Sequence, residues 1–166
     1  ACLGEQVRTL DFDEQSRVFT LHTSKGEHRT RAILIAAGVG SFTPKKLPIK
    51  DVQQFEGKGL HYFIRGMDEF KDHKILIVGG GDSAVDWANA LAPAATQLTI
   101  IHRRDQFRAH EDSVAKMRRT PAVIKTPYEL RSIDGNGRVE QATIYHNQSK
   151  REETLEVDDV LVNIGF

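Results

Sequence analysis

The sequence is short of thiols. Its 166 residues contain 1 cysteine, Cys2. A single thiol can form neither an internal disulfide nor a Cys-x-x-Cys redox pair within this chain. The sequence therefore excludes a disulfide-stapled framework, and electron transfer cannot use a dithiol supplied by these residues.

The sequence also has no excess of one charge and no long apolar run. Lysine plus arginine and aspartate plus glutamate both number 23, so no net charge favours nucleic acid or a membrane surface. No apolar run approaches the roughly 20 residues of a membrane-spanning helix, and no signal-peptide core is present. We expect a cytoplasmic protein that binds neither nucleic acid nor membranes.

Several catalytic and metal-binding patterns are missing. The 7 histidines show neither H-x-x-x-H nor H-E-x-x-H spacing, so no metal site is predicted. Ser83 does not lie in a G-x-S-x-G nucleophile elbow. The acids in His110-Glu111-Asp112 are interpreted as charges that complement a helix N-terminus. No catalytic acid, base or nucleophile is predicted.

What the sequence does contain is a strand, a glycine turn and a helix start within residues 74–85. Four apolar residues, Ile75–Val78, run into three glycines, and a helical pattern follows at once. Backbone N–H groups at such a turn are unpaired and the helix dipole adds positive potential, so the junction suits a phosphate. Asp82 or Ser83 can cap the helix.

The glycines match the dinucleotide-binding spacing G-x-G-x-x-G/A as Gly79, Gly81 and Ala84. Gly79 permits the tight turn, Gly81 lets a pyrophosphate approach the backbone, and Ala84 keeps the helix close to the strand. With Asp82 and Ser83, these residues are predicted to bind the pyrophosphate of a dinucleotide. A glycine-rich loop without a ligand is the alternative, which the flanking strand and helix disfavour.

The elements after this turn predict an α/β fold. Ala84, Ala88 and Leu91 share one helix face and precede an apolar strand, which indicates a parallel βαβ unit. A second helix is predicted to bury Phe107, Val114 and Met117. Further strands are predicted at residues 97–101, 122–126 and 160–165, with an antiparallel meander over 128–157.

The region before residue 74 is predicted to hold strands and a linker. Residues 5–12 and 17–23 read as a hairpin, and Arg31–Gly38 as a buried strand. Residues 39–58 follow neither a strand nor a helix period and contain prolines and glycines, which is typical of a crossover between two units. Leu60–Ile64 is a short apolar segment.

The end of the second strand distinguishes between two dinucleotides. A carboxylate about 20 residues after the glycine turn would bond the 2′-hydroxyl of NAD. This chain instead has His102, Arg103 and Arg104, followed by Arg108. Guanidinium groups suit a phosphate, whereas cations at a helix N-terminus without an anion oppose its dipole. We therefore predict that these four residues bind the 2′-phosphate of NADP(H), and an unliganded basic surface is the alternative.

These motifs together resemble the NADPH domain of the thioredoxin reductase superfamily. Thioredoxin reductases carry a Cys-x-x-Cys before the glycine turn, but the corresponding residues 61–65 contain no cysteine. The chain is most similar to the thioredoxin-reductase-like (type 2) ferredoxin–NADP⁺ reductases. The stretches that carry this resemblance are Gly38–Lys46, Leu60–Phe63, Gly79–Trp87, His102–Asp105, Phe107–Val114 and Asn163–Phe166.

The resemblance implies a Rossmann-like, three-layer NADPH-binding domain with an antiparallel β-meander, plus part of an FAD-binding domain of a longer parent. Residues 1–45 would be the partial FAD-binding domain, residues 46–160 the NADP(H)-binding domain, and residues 161–166 the start of the return to the FAD domain. Phe42 is implied as a flavin contact. The strand end Ala36-Ala37-Gly38 departs from the family's Ala-Thr-Gly.

The implied parent passes electrons between NADPH, FAD and ferredoxin or flavodoxin, as a homodimer. The cofactors carry the electron chemistry, and the protein supplies binding and orientation. Two alternatives stay open. One is an NADP(H)-binding fragment without turnover. The other is a thioredoxin-reductase-like flavin oxidoreductase with a different acceptor, such as a quinone or peroxiredoxin.

Overall fold

A computed structural model describes residues 2–36 and 44–165. The chain divides into two compact units, Ala1–Ser41 and Phe42–Phe166. The first unit contains a three-stranded antiparallel sheet in the order β1-β2-β3. Its strands are β1 (Val7–Asp13), β2 (Val18–Thr23) and β3 (Glu27–Thr30).

The predicted hairpin is confirmed by the pairing of β1 with β2. Phe12 lies opposite Phe19, and their ring centroids are 4.5 Å apart. Cross-strand aromatic pairs of this kind stabilise an antiparallel ladder.

The strand predicted at Arg31–Gly38 is wrong over its described part. Residues 31–36 carry no strand, and the side chains of Leu34 and Ile35 are 91% and 85% exposed. A buried strand needs neighbours that bond its backbone and cover its side chains. No described strand pairs with this segment, so apolar composition alone does not bury it. Ala37 and Gly38 lie outside the described residues.

The second unit is built on a five-stranded parallel sheet in the order β4-β11-β5-β6-β7. Two α-helices accompany it, α1 (Asp82–Leu91) and α2 (Glu111–Met117), with 3₁₀ turns at Val52–Phe55 and Met67–Phe70. The parallel strands are β4 (Leu60–His61), β5 (Lys74–Gly79), β6 (Gln97–Ile101), β7 (Val123–Lys125) and β11 (Asp159–Asn163). No helix among the described residues is long and apolar enough to cross a membrane.

The predicted βαβ unit is confirmed. Ile77 of β5 pairs in parallel with Ile100 of β6, and α1 connects the two strands. The predicted last strand is also present, and β11 lies between β4 and β5 rather than at an edge. The last strand in sequence therefore occupies a central position in the sheet.

The predicted antiparallel meander forms a separate sheet in the order β10-β9-β8. Its strands are β8 (Tyr128–Asp134), β9 (Gln141–His146) and β10 (Glu152–Glu156). It packs on one face of the parallel sheet, where Leu76 and Val78 share a core with Leu130 and Ile144.

The opposite face of the parallel sheet carries the helices. Ile75 and Ile77 form a second core with Ala84, Ala88 and Leu91, which are all buried. Successive strand residues point to opposite faces, so one strand serves both cores. The predicted face of α1 and the three-layer order of helices, parallel sheet and meander are confirmed.

The second predicted helix is shorter than its apolar pattern indicated. Helix α2 begins at Glu111, so Phe107 precedes it, although Phe107 still packs against the helix-side core with Val114 and Met117. The segment before α2 is not helical. Its Arg108 amide instead donates to the Gly80 carbonyl at 2.7 Å.

A buried carboxylate links the amino ends of the parallel strands. Asp159, at the start of β11, is 4% exposed. Its Oδ1 accepts from His61 Nε2 at 2.8 Å, and its Oδ2 accepts from His73 Nδ1 at 2.6 Å. Burial acts to raise the pKa of this carboxyl, but the hydrogen bonds from both histidines outweigh burial and the pKa lies below the ordinary value.

Replacing Asp159 with asparagine should destabilise the second unit by about 2 kcal/mol, because a charged acceptor of two hydrogen bonds is lost. The wild-type contribution should be present at neutral pH and should decline as the pH falls below the ordinary aspartate value of 3.8. Urea unfolding at pH 7 and pH 3 measures both effects. Asp86→Asn, at an exposed position of α1, is the control. Equal unfolding midpoints for the two variants at pH 7 would contradict the assignment.

Candidate functional site

The predicted residues meet at the carboxyl edge of the parallel sheet. Strand β5 ends at Gly79, β6 ends at Ile101, and β11 ends at Asn163. These strands are neighbours in one parallel sheet, so their ends and following loops lie at the same edge. In open α/β sheets this edge is where ligands bind.

Gly79 is held against its neighbours on two sides. A Cβ at this position would lie 2.3 Å from the Asn163 carbonyl oxygen and 3.0 Å from Ala84 Cβ. A real side chain cannot approach a backbone oxygen so closely. The predicted roles of Gly79 and Ala84 in a tight strand–turn–helix junction therefore have a geometric basis.

Gly80 was not among the predicted site residues, yet its missing side chain is also required. A Cβ at Gly80 would lie 2.3 Å from His102 Nδ1, so the imidazole ring occupies the space above this glycine. The ring of Phe107 stacks on His102 with centroids 5.5 Å apart. The signal for this contact was the middle glycine of the three, Gly80, which the dinucleotide spacing leaves unexplained.

Gly81 differs from both neighbours because its surroundings are open. Apart from its neighbours along the chain, no heavy atom of the described residues lies within 4 Å of the position that its Cβ would take. Gly81 is the N-cap of α1, and no side chain caps this helix end. The first backbone N–H groups of α1 are therefore available to a ligand at the positive end of the helix dipole.

The predicted cap by Asp82 or Ser83 is wrong. Both residues are exposed and lie inside α1, where a side chain no longer has the geometry of an N-cap. Asp82 Oδ1 instead accepts from the His110 amide at 2.8 Å, which joins α1 to the start of α2.

His102 is buried, whereas the arginines that follow it are exposed. It is 8% exposed, and its buried Nε2 has no hydrogen-bond partner among the described residues. Burial lowers the pKa of His102, a hydrogen bond to the Gln106 backbone opposes this shift, and the neighbouring arginine charges add to it. The lowered pKa favours the neutral imidazole, which can offer a polar contact.

The three arginines are exposed in the loop between β6 and α2. The bond from the Arg108 amide to the Gly80 carbonyl ties this loop to the glycine turn. A shallow depression of about 510 Å³ lies beside the start of α1. Its lining includes Asp82, Arg108, Ala109, His110, Glu111 and Asp112.

Asn163 is a further residue that the sequence prediction missed. Its Oδ1 is buried and has no hydrogen-bond partner among the described residues, and its backbone carbonyl contacts the Gly79 position. An unpaired buried polar atom is costly and is usually satisfied by a ligand or water. The available signal was one amide residue directly after the apolar run Val160–Val162.

One predicted residue and one cluster in the first unit remain to be placed. Phe42, the predicted flavin contact, lies outside the described residues. In the first unit, the side-chain donors of Cys2, Glu5 and His28 lie within 4.8 Å of one another. Glu5 Oε1 already accepts from His28 Nε2 at 2.8 Å, and it also bonds to Thr23 Oγ1.

Comparison with known proteins places this geometry in a family. The sequence pattern of the pyridine nucleotide-disulphide oxidoreductase family matches residues 3–166. The chain belongs to this family. A relative named ferredoxin–NADP reductase 2 from Bacillus cytotoxicus is 45% identical over 99% of the chain, and ferredoxin–NADP reductase from Metallosphaera sedula is 46% identical over 98%. The predicted resemblance to these reductases is confirmed. The chain spans about half of each relative, 50% and 51% respectively.

Solved structures show the same fold. Thioredoxin reductase from Lactococcus lactis matches 96% of the chain with a TM-score of 0.72 and 23% identity, over 52% of its own length. Thioredoxin reductase from Giardia duodenalis matches 98% with a TM-score of 0.70 and 26% identity, over 53% of its length. The family fold is thus shared with proteins whose sequences have diverged widely.

Alanine at Gly80 should destabilise the fold much more than alanine at Gly81. Gly80→Ala should lower the free energy of unfolding by about 1–3 kcal/mol, because the stacked His102 ring cannot move away freely. Gly81→Ala should change it by only about 0.5 kcal/mol, since a weaker N-cap and a less flexible unfolded chain oppose each other. Urea unfolding monitored by circular dichroism compares the two variants. Equal stability would show that His102 does not constrain Gly80.

Proposed function

We propose that the second unit binds NADP(H) across the carboxyl edge of its parallel sheet. The observation that carries this proposal is the open space over Gly81 at an uncapped helix N-terminus, combined with an exposed arginine loop bonded to the same turn. Neither feature alone specifies a dinucleotide. Together they provide a pyrophosphate site and a second anion site.

The pyrophosphate would lie against Gly81 and the first turn of α1. The missing Cβ allows its oxygens to reach the backbone N–H groups, which hold the anion without a lysine. Ser83 is exposed in this first turn and can add a hydroxyl donor. The carboxylate of Asp82 accepts from the His110 amide, so its role would be to hold the two helix starts together.

The 2′-phosphate would be bound by Arg103, Arg104 and Arg108. Their exposed guanidinium groups carry permanent charge and can form paired hydrogen bonds with phosphate oxygens. His102 would contribute differently from the prediction, as a neutral group that supports Gly80. Its Nε2 and Asn163 Oδ1 are the buried polar atoms that a bound dinucleotide could satisfy.

The larger activity proposed is that of a ferredoxin–NADP⁺ reductase. The names of the relatives at 45% and 46% identity support it, and the absence of a dithiol in residues 61–65 separates the chain from thioredoxin reduction. A bound FAD would accept a hydride from NADPH and release electrons singly. In that protein residues 46–160 would form the NADP(H)-binding domain, while residues 1–45 and 161–166 would belong to the FAD-binding domain. Ferredoxin or flavodoxin would be the partner of a cytoplasmic homodimer.

Removing both guanidinium groups at Arg103 and Arg104 should weaken NADP⁺ binding at least about tenfold and leave NAD⁺ binding nearly unchanged. The reason is that charge-assisted hydrogen bonds to the 2′-phosphate are present only with NADP⁺. Isothermal titration calorimetry of the Arg103→Ala/Arg104→Ala variant with both nucleotides measures this. Arg118→Ala/Arg119→Ala is the matched control, since this arginine pair is also exposed and directly follows α2. Equal losses for both nucleotides would reject the 2′-phosphate assignment.

Gly81→Ala should instead weaken NADP⁺ and NAD⁺ by similar factors, because both share the pyrophosphate. The variant is useful because its fold should be nearly unaffected. The same titrations test it, and selective loss of NADP⁺ would show that Gly81 does not face the pyrophosphate.

Flavin absorbance distinguishes the alternatives for this chain. A purified chain with absorbance near 450 nm would contain a flavin site, whereas a colourless chain that retains NADP⁺ would be a binding unit without turnover. In the longer protein, NADPH-dependent reduction of cytochrome c that does not depend on added ferredoxin would indicate a different electron acceptor.

A further inference from the structure

The turn between β9 and β10 reaches the arginine loop. Asn147 is the first residue of this turn, and its Nδ2 donates to the Arg103 carbonyl oxygen at 2.8 Å. The bond joins residues 44 positions apart in sequence. It connects the meander layer directly to the backbone of a residue assigned to the 2′-phosphate.

This bond completes a set of restraints on two consecutive residues. The His102 amide donates to the Lys125 carbonyl at 3.1 Å, and the His102 carbonyl accepts from the Tyr128 amide at 2.9 Å. The Asn147 side chain then donates to the carbonyl of the next residue, Arg103. The start of the arginine loop is therefore fixed through its main chain, while its guanidinium groups stay exposed.

Asn147 is itself held in place. Its backbone amide donates to the Pro127 carbonyl at 2.9 Å, in the segment that also restrains His102. Within the turn, His146 Nδ1 accepts from the amides of Gln148 and Ser149 at 3.3 and 3.1 Å. A donor on an ordered turn loses little conformational freedom when it forms its bond, so it can restrain the loop that it contacts.

We propose that Asn147 is a positioning residue for NADP(H) specificity. It acts through the Arg103 carbonyl and presents the first arginine of the loop in a fixed orientation to the 2′-phosphate. This inference rests on the proposed function, because it matters only if the arginine loop binds that phosphate. The neutral side chain of Asn147 contacts the protein backbone, so its removal should leave the pyrophosphate site intact.

The test uses two probes that differ in the relevant group, 2′,5′-ADP and 5′-ADP. Asn147→Ala should weaken 2′,5′-ADP about 3- to 10-fold, the range for one hydrogen bond of ordinary net strength. Binding of 5′-ADP should be unchanged. Asn147→Leu, which keeps similar bulk without a donor, should give the same selective loss. Isothermal titration calorimetry on the 166-residue chain provides the affinities, and circular dichroism verifies folding.

Asn136→Ala is the matched control, because Asn136 is exposed in the other turn of the meander, between β8 and β9. Wild-type affinity of Asn147→Ala for 2′,5′-ADP would overturn the inference, as would an equal loss for both probes. The proposed function fails separately, if Arg103→Ala/Arg104→Ala retains 2′,5′-ADP. Loss in the arginine variant with no loss in Asn147→Ala would leave the NADP(H) site standing and reject only the positioning role.

Discussion

The close approach of backbone to backbone at the carboxyl edge of the parallel sheet is the constraint on which the site depends. Gly79 contacts the end of β11, Gly80 contacts the His102 ring, and Gly81 faces open space. A side chain at either of the first two would separate strands or displace a buried ring. Because Gly79 and Gly80 meet different neighbours and Gly81 meets none among the described residues, the glycine turn packs against β11 and His102 and leaves one exposed backbone surface.

The two edges of the parallel sheet use polar groups in opposite ways. At the amino edge, Asp159 is buried and both of its oxygens are satisfied by histidines. At the carboxyl edge, His102 Nε2 and Asn163 Oδ1 are buried without described partners. Satisfied buried groups stabilise a fold, whereas unsatisfied ones are tolerated where a ligand can complete them. Asn89 Oδ1 in α1 is also buried without a described partner, so this contrast supports the proposed binding edge without specifying it alone.

The meander contacts the arginine loop in addition to packing on the parallel sheet. Its inner face completes the core under Leu76 and Val78, and its β9–β10 turn reaches the backbone of Arg103. Specificity for one dinucleotide would then depend on a layer that makes no predicted contact with the nucleotide. A rigid second layer can supply such positioning because the bond from Asn147 restrains the backbone of a loop whose arginine side chains are exposed.

The sequence by itself determined the parallel βαβ unit, the meander and the family, because apolar periodicity, glycine spacing and an arginine loop are local patterns. It did not determine that residues 31–36 form no buried strand, since burial depends on neighbours that no local pattern reveals. The tertiary structure alone decided that His102 is buried with a lowered pKa, that Gly80 is needed to accommodate it, and that Asn147 bonds to Arg103. These contacts join residues far apart in sequence. They form only when the layers pack, so no local sequence pattern predicts them.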